Sequence, residues 1–150
     1  MGSVIRCVIA LKQSLLTSRV KKYPNLQFVT VINPSSGPWL NGSLDDNYQR
    51  ELPNLNSKKN VLTIGYVRTN YTNRPMSEVL NDIDIYASWS KNTTNIAMHG
   101  IFFDEAPNAF TASGEDYMQQ VDAYAKNSTG FGGINYVTRT LHVQLILGHS

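Results

Sequence analysis

Apolar residues along this 150-residue chain gather in short, nearly unbroken runs separated by longer amphipathic stretches. The runs are Val4 to Leu11, Leu26 to Ile32, Val61 to Val67 and Ile96 to Phe103. Each is rich in branched or aromatic side chains and ends on polar or turn-forming residues, the pattern of strands buried on both faces. Between them the apolar period lengthens to that of a helix. Lys12 to Lys22 carries Leu15, Leu16 and Val20. A stretch capped by Asp45 and Asp46 aligns Leu44, Tyr48, Leu52 and Leu55, with Pro53 expected to limit its length. Met76 to Trp89 turns Val79, Ile83, Tyr86 and Trp89 inward, with Glu78 and Asp82 expected outward. Ser113 with Asp116 resembles a capping box ahead of a stripe of Tyr117, Val121, Tyr124 and Ala125. A weaker strand is read at 134–137. Strands alternating with helices, without hairpin turns, predict right-handed βαβ units, a parallel sheet and one α/β domain over 1–150.

The run at 96–103 leads straight into Asp104 and Glu105, and Pro107 follows to stop the ladder. In parallel sheets ligands meet the carboxyl ends of strands, so these acids occupy a position suited to chemistry. Neighbours on a strand point to opposite faces. Gly100, Phe102 and Asp104 should share one side, and Ile101, Phe103 and Glu105 the other, unless the strand end bends. Asp104 is taken as the inward carboxylate, and a second one facing a substrate should come from another strand. The alternative is that two acids merely end a strand and solvate its turn. Phe102 and Phe103 precede the strand end and are read as core.

Composition narrows the partners. Thirteen basic and eleven acidic residues give a formal charge of +2 with no like-charge block, so neither nucleic acid nor an anionic membrane is indicated. The single cysteine, Cys7, gives no internal disulfide, and His99, His142 and His149 lack ligand spacing, so no metal or other cofactor is expected. No run is long enough to span a membrane, and Arg6 makes the first apolar run a poor signal peptide. Asn41, Asn70, Asn92 and Asn127 begin glycosylation sequons, about what so asparagine-rich a chain offers by chance.

Four segments, Val31-Ile32-Asn33-Pro34-Ser35-Ser36-Gly37-Pro38, Gly65-Tyr66-Val67-Arg68-Thr69, Asp84-Ile85-Tyr86-Ala87-Ser88-Trp89 and Gly100-Ile101-Phe102-Phe103-Asp104-Glu105, resemble in order the spherulin 4-like family (spherulation-specific family 4, glycoside hydrolase family 135-like). The resemblance covers about residues 23–124. It implies a parallel (β/α)8 TIM-type barrel and a secreted or cell-surface glycoside hydrolase acting on α-1,4-linked galactosamine or N-acetylgalactosamine polysaccharide. A full barrel takes around 250 residues. This chain is therefore expected to hold about the first half, without the family's aromatic-proline first strand or its later catalytic glutamate. An open half-barrel is expected to be inactive or weakly active, and unstable or self-associating in isolation.

The same resemblance implies catalytic roles for Asp104 and Glu105 and substrate contacts from Asn33, Ser36 and Tyr66. Read as residues alone, Tyr66 sits where a ring could stack on or hydrogen-bond to a sugar. Asn33 and Ser36 equally fit plain turn chemistry. Two rival readings come from other classes. One is a non-catalytic spore or cell-wall carbohydrate-binding protein. The other is a lipid-kinase-like nucleotide loop at Asn33 to Gly37, which lacks the downstream Gly-Gly-Asp-Gly motif of those kinases.

Overall fold

The structure, a computed structural model, describes residues 4–9, 13–39, 44–92, 95–131 and 136–139. Five strands, β1 (Val4–Ile9), β2 (Gln27–Ile32), β3 (Val61–Arg68), β4 (Gly100–Asp104) and β5 (Tyr136–Arg139), lie in sequence order in one parallel sheet. Helices α1 (Gln13–Lys22), α2 (Asp46–Asn56), α3 (Met76–Ser88) and α4 (Ala112–Asn127) form the crossovers. A doubly wound sheet reverses its strand order at a switch point. This one never does.

Burial separates the two faces of the sheet. Phe28, Ile32, Val61, Val67, Ile101 and Phe103 form one core with Leu52, Tyr48, Ile83, Tyr86, Met118 and Val121 from the helices. Val29, Val31, Ile64 and Tyr66, with Phe102 against them, form a second cluster to which no helix contributes. All four helices therefore cover the same face. The alternation expected for β4 holds, with Ile101 and Phe103 toward the helices and Phe102 away.

The elements follow their local chemistry, with two corrections. Asp45 caps α2 by accepting from the Asn47 and Tyr48 amides, as expected, and the helix ends at Asn56, three residues past Pro53, with Ser57 as its C-cap. A proline so near the end removes only one ladder bond, and burial of Leu52 and Leu55 outweighs it. Asp82 faces inward, 4% exposed, because a partner, Arg74, meets it there. The start of α4 is capped by Thr111, whose hydroxyl accepts from the Gly114 amide, and its buried face runs through Gly114, Met118, Val121 and Ala125. Tyr124 is exposed. In β1 only Val4–Ile9 is described as strand, and the expected strand at 134–137 is found as Tyr136–Arg139, with 132–135 outside the described residues.

A candidate carbohydrate site at the end of strand β4

Every β→α loop of a parallel sheet opens at the same edge. The loops after β2, β3 and β4 therefore bring Asn33 and Ser36, Tyr66 and Arg68, and Asp104 and Glu105 to one rim. Tyr66 and Phe102 are register partners, as are Arg68 and Asp104. The Tyr66 hydroxyl donates to Asp104 Oδ2 at 2.7 Å, and its ring lies 6.2 Å from that of Phe102. Asp104 is half-buried on the helix-free side of the sheet, in the direction assigned to it.

Glu105 breaks the strand's alternation. Its φ is +52°, a left-handed conformation that a non-glycine residue adopts only where surrounding contacts hold it. Those contacts come from Thr69, fully buried, whose amide donates to the Asp104 carbonyl and whose hydroxyl lies 3.1 Å from that carbonyl and 2.8 Å from that of Glu105. The Tyr71 amide donates to the Glu105 carbonyl at 2.7 Å. The turn brings Glu105 Oε2 to 3.8 Å from Arg68 Nε, beside a residue that pairs in register with Asp104. Adjacent acids thus share one lip because the chain bends between them. The Arg68–Glu105 contact is half exposed, and such pairs stabilise by under about 1 kcal/mol.

The loop that clamps this bend is itself strained. Asn70, Tyr71 and Thr72 have φ of 49°, 53° and 70°, three left-handed residues in succession without a glycine. Each costs roughly 1–2 kcal/mol. The turn is fixed by Thr69, whose carbonyl accepts from the Thr72 and Arg74 amides. Arg74 then donates from Nη1 to the Arg68 carbonyl at 3.0 Å and to Asp82 Oδ2 at 2.6 Å, while its own carbonyl accepts from the Tyr117 hydroxyl. Burial lowers the Arg74 pKa, but Asp82 and Glu78 outweigh it and the net shift is upward. Gly37 lies on the same hub, since a Cβ there would stand 3.2 Å from Asp82 Oδ2.

Burial first, then the hydrogen bond and charge of Asp104, raise the Tyr66 pKa well above the usual tyrosine range. Its phenol therefore stays protonated and donating. Asn33 is engaged in its own turn: Oδ1 accepts from the Gly37 amide at 3.0 Å, and its carbonyl accepts from the Tyr48 hydroxyl. Ser36 is exposed with φ +52°. Both sit two strands from β4, on the order of 10 Å across the sheet. Arg68, Thr69 and Arg74 escape a reading by composition, although the first two belong to the Gly65–Thr69 segment.

A concavity of about 440 Å³ lies at the opposite end, where α3 and α4 finish, and is lined by Asp84, Lys91, Tyr124, Asn127 and their neighbours. There the Tyr124 hydroxyl is already bonded to both Asp84 oxygens. At the β4 lip a hydroxyl, two carboxylates and a guanidinium meet. Among the described residues no His/Cys/Asp/Glu cluster could hold a metal ion, and no helix is long and apolar enough to cross a membrane.

The sequence pattern of spherulation-specific family 4 matches residues 13–140, further in both directions than the segments at 23–124 suggest. Spherulin-4 of Physarum polycephalum is 34% identical over 106 residues, which are 71% of this chain and 29% of that protein. The crystal structure of Aspergillus clavatus Sph3 in complex with GalNAc aligns with a TM-score of 0.81 and 40% identity, over 85% of this chain and 51% of Sph3. A GH6 enzyme from Orpinomyces sp. Y102 aligns at 0.58 with 13% identity, over 92% of this chain and 52% of that enzyme, a likeness of fold alone. The chain spans less than a third of the Physarum protein and about half of each of the two solved chains.

Proposed function

The chain belongs to spherulation-specific family 4, and from that premise we propose that its β4 lip recognises an amino sugar of the N-acetylgalactosamine type, as part of a glycoside hydrolase acting on α-1,4-linked galactosamine polysaccharide. The observation that carries this reading is the Tyr66–Asp104 hydrogen bond beside Glu105, at the rim where barrel enzymes place their chemistry. In this reading the five strands in sequence order are the first part of a (β/α)8 barrel wall. The helix-free cluster around Ile64 and Phe102 belongs to its interior. The protein works at a cell surface or outside the cell.

Asp104 is the sugar-facing carboxylate. Tyr66 fixes its orientation, and Glu105, turned onto the same lip and held near Arg68, supplies a second negative charge. Glycosidic cleavage uses two carboxyl groups on opposite sides of the bond. Asp104 and Glu105 come from one strand end, so the opposing acid is expected from a later strand, and turnover by these residues alone is weak or absent. That same observation favours a second reading, in which the lip binds polysaccharide without cleaving it.

Titration of the 150-residue chain with GalNAc, followed by backbone amide shifts, tests the site. The expected result is saturable shifts at Tyr66, Arg68, Asp104 and Glu105. Absence of binding, or shifts confined to the opposite end of the sheet, would overturn the reading. Release of reducing ends from the polymer then separates cleavage from binding.

A further inference from the structure

Among the described residues, three of the five large exposed aromatic side chains lie in loops that follow successive strands. Trp39, 39% exposed, follows β2; Tyr71, 50% exposed, follows β3; Phe110, 82% exposed, follows β4. Three successive strands thus each send one solvent-facing aromatic into the loop at the rim that carries the acid pair. An exposed ring offers a flat apolar face whose cover by a ligand's apolar face is favourable. Tyr71 has a second distinction. It is the middle residue of the three-residue left-handed turn, and its amide is hydrogen-bonded to the carbonyl of Glu105. Strain of this kind persists where the surrounding structure over-determines it, and it clusters at ligand clamps. Here Thr69, Arg74 and Asp82 fix the turn, so Tyr71 is presented from a rigid base one hydrogen bond away from the acids.

We propose that Trp39, Tyr71 and Phe110 form a row of aromatic platforms that bind the sugars flanking the one at the acid pair, so that the ligand is an extended amino-sugar polysaccharide chain rather than a single sugar. The inference rests on the amino-sugar reading of the β4 lip and adds the residues that measure chain length. The loops belong to adjacent strands, and adjacent strands lie roughly 5 Å apart. A pyranose chain crossing the rim therefore meets a new loop about once per sugar. A sugar ring presents an apolar C–H face to a ring beneath it and keeps its hydroxyls for water, which suits exposed Tyr, Trp and Phe better than buried polar pockets. Binding by this row is expected to tolerate the sugar's substituents and to depend on chain length.

The test is calorimetric titration of the full chain with GalNAc and with α-1,4-linked N-acetylgalactosamine oligomers of increasing length, read together with tryptophan emission. Trp89 is buried, so an emission change reports Trp39. The expected result is an affinity that climbs by about tenfold or more from monosaccharide to the longer oligomers, with a shift in emission. Tyr71→Ala, Trp39→Ala and Phe110→Ala should each move the oligomer-to-monosaccharide affinity ratio toward one. Tyr71→Trp should restore the ratio and so excludes loss through misfolding. Monosaccharide binding at the lip with no dependence on length, or alanine variants that keep the parent's ratio, would overturn the platforms and leave the lip reading standing. Failure of the parent to bind GalNAc at all would overturn both.

Discussion

Among single residues, Asp104 carries the carboxylate that the Tyr66 hydroxyl orients. Replacement by asparagine preserves shape and can still accept from the Tyr66 hydroxyl, yet removes the charge and the exchangeable proton. Asp104→Asn is expected to abolish cleavage in any longer protein carrying this strand, while GalNAc-dependent amide shifts remain and the melting temperature stays within a few degrees. Unchanged cleavage would pass the role to Glu105, and a large loss of melting temperature would make Asp104 structural. Tyr66 supplies a pH test. Its folded pKa is raised, chiefly by burial and then by Asp104, so the folded state holds this proton more tightly than the unfolded chain does. The stability this gives is complete below the usual tyrosine value near 10 and is lost as pH rises above it. Tyr66→Phe should cost about 1.5–3 kcal/mol at neutral pH and flatten the alkaline fall in melting temperature. The facing of Asp104, on the side of Phe102, was legible in the sequence, because alternation along a buried strand fixes it. The placement of Glu105 was not. Its left-handed backbone carries no glycine to announce it and is imposed by Thr69 and Tyr71 from another loop.

At the level of the elements, three contacts tie the sheet to the segments around it. Gly65 in β3 lies under Tyr86, where a Cβ would come within 2.6 Å of the ring. The ring cannot easily yield, because its hydroxyl donates to the Ile32 carbonyl and its edge packs against Trp89 at 4.8 Å. Gly65→Ala should therefore destabilise by roughly 1–3 kcal/mol in denaturant unfolding, and a neutral effect would show the packing to be loose. Arg74→Met strands the buried Asp82 and frees the strained turn. The expected cost is about 3 kcal/mol, with partial recovery in Arg74→Lys. His99, whose Nδ1 lies 3.1 Å from Thr63 Oγ1, has its pKa lowered, mainly by burial. The unfolded chain therefore binds the proton more readily. Stability from this site is present above about pH 6.5 and is lost as pH falls below it. A melting-temperature profile should show that acid limb, and His99→Gln should remove it. Helix positions followed from apolar periodicity, but Asp82 was read as outward because periodicity sees only that a residue is charged. Its partner lies eight residues earlier, in a loop.

At the scale of the whole molecule, alternating strands and helices already implied a parallel sheet, and the strand order with all helices on one face completes that expectation. Among the described residues the outer strands β1 and β5 each pair with a single neighbour. Such edges favour pairing with another chain. Concentration-dependent self-association in sedimentation is the expected behaviour of the isolated chain, and a monomer at all concentrations would contradict it. Strand alternation already placed the acids at the carboxyl edge, but it could not show the hollow of about 440 Å³ between the ends of α3 and α4, at the other edge from the hydroxyl, carboxylates and guanidinium. A crystal of the chain soaked with GalNAc decides between them. The sugar is expected against Asp104 and the Tyr66 hydroxyl. A sugar bound in the hollow at Asp84 and Tyr124, with the β4 lip empty, would contradict that placement.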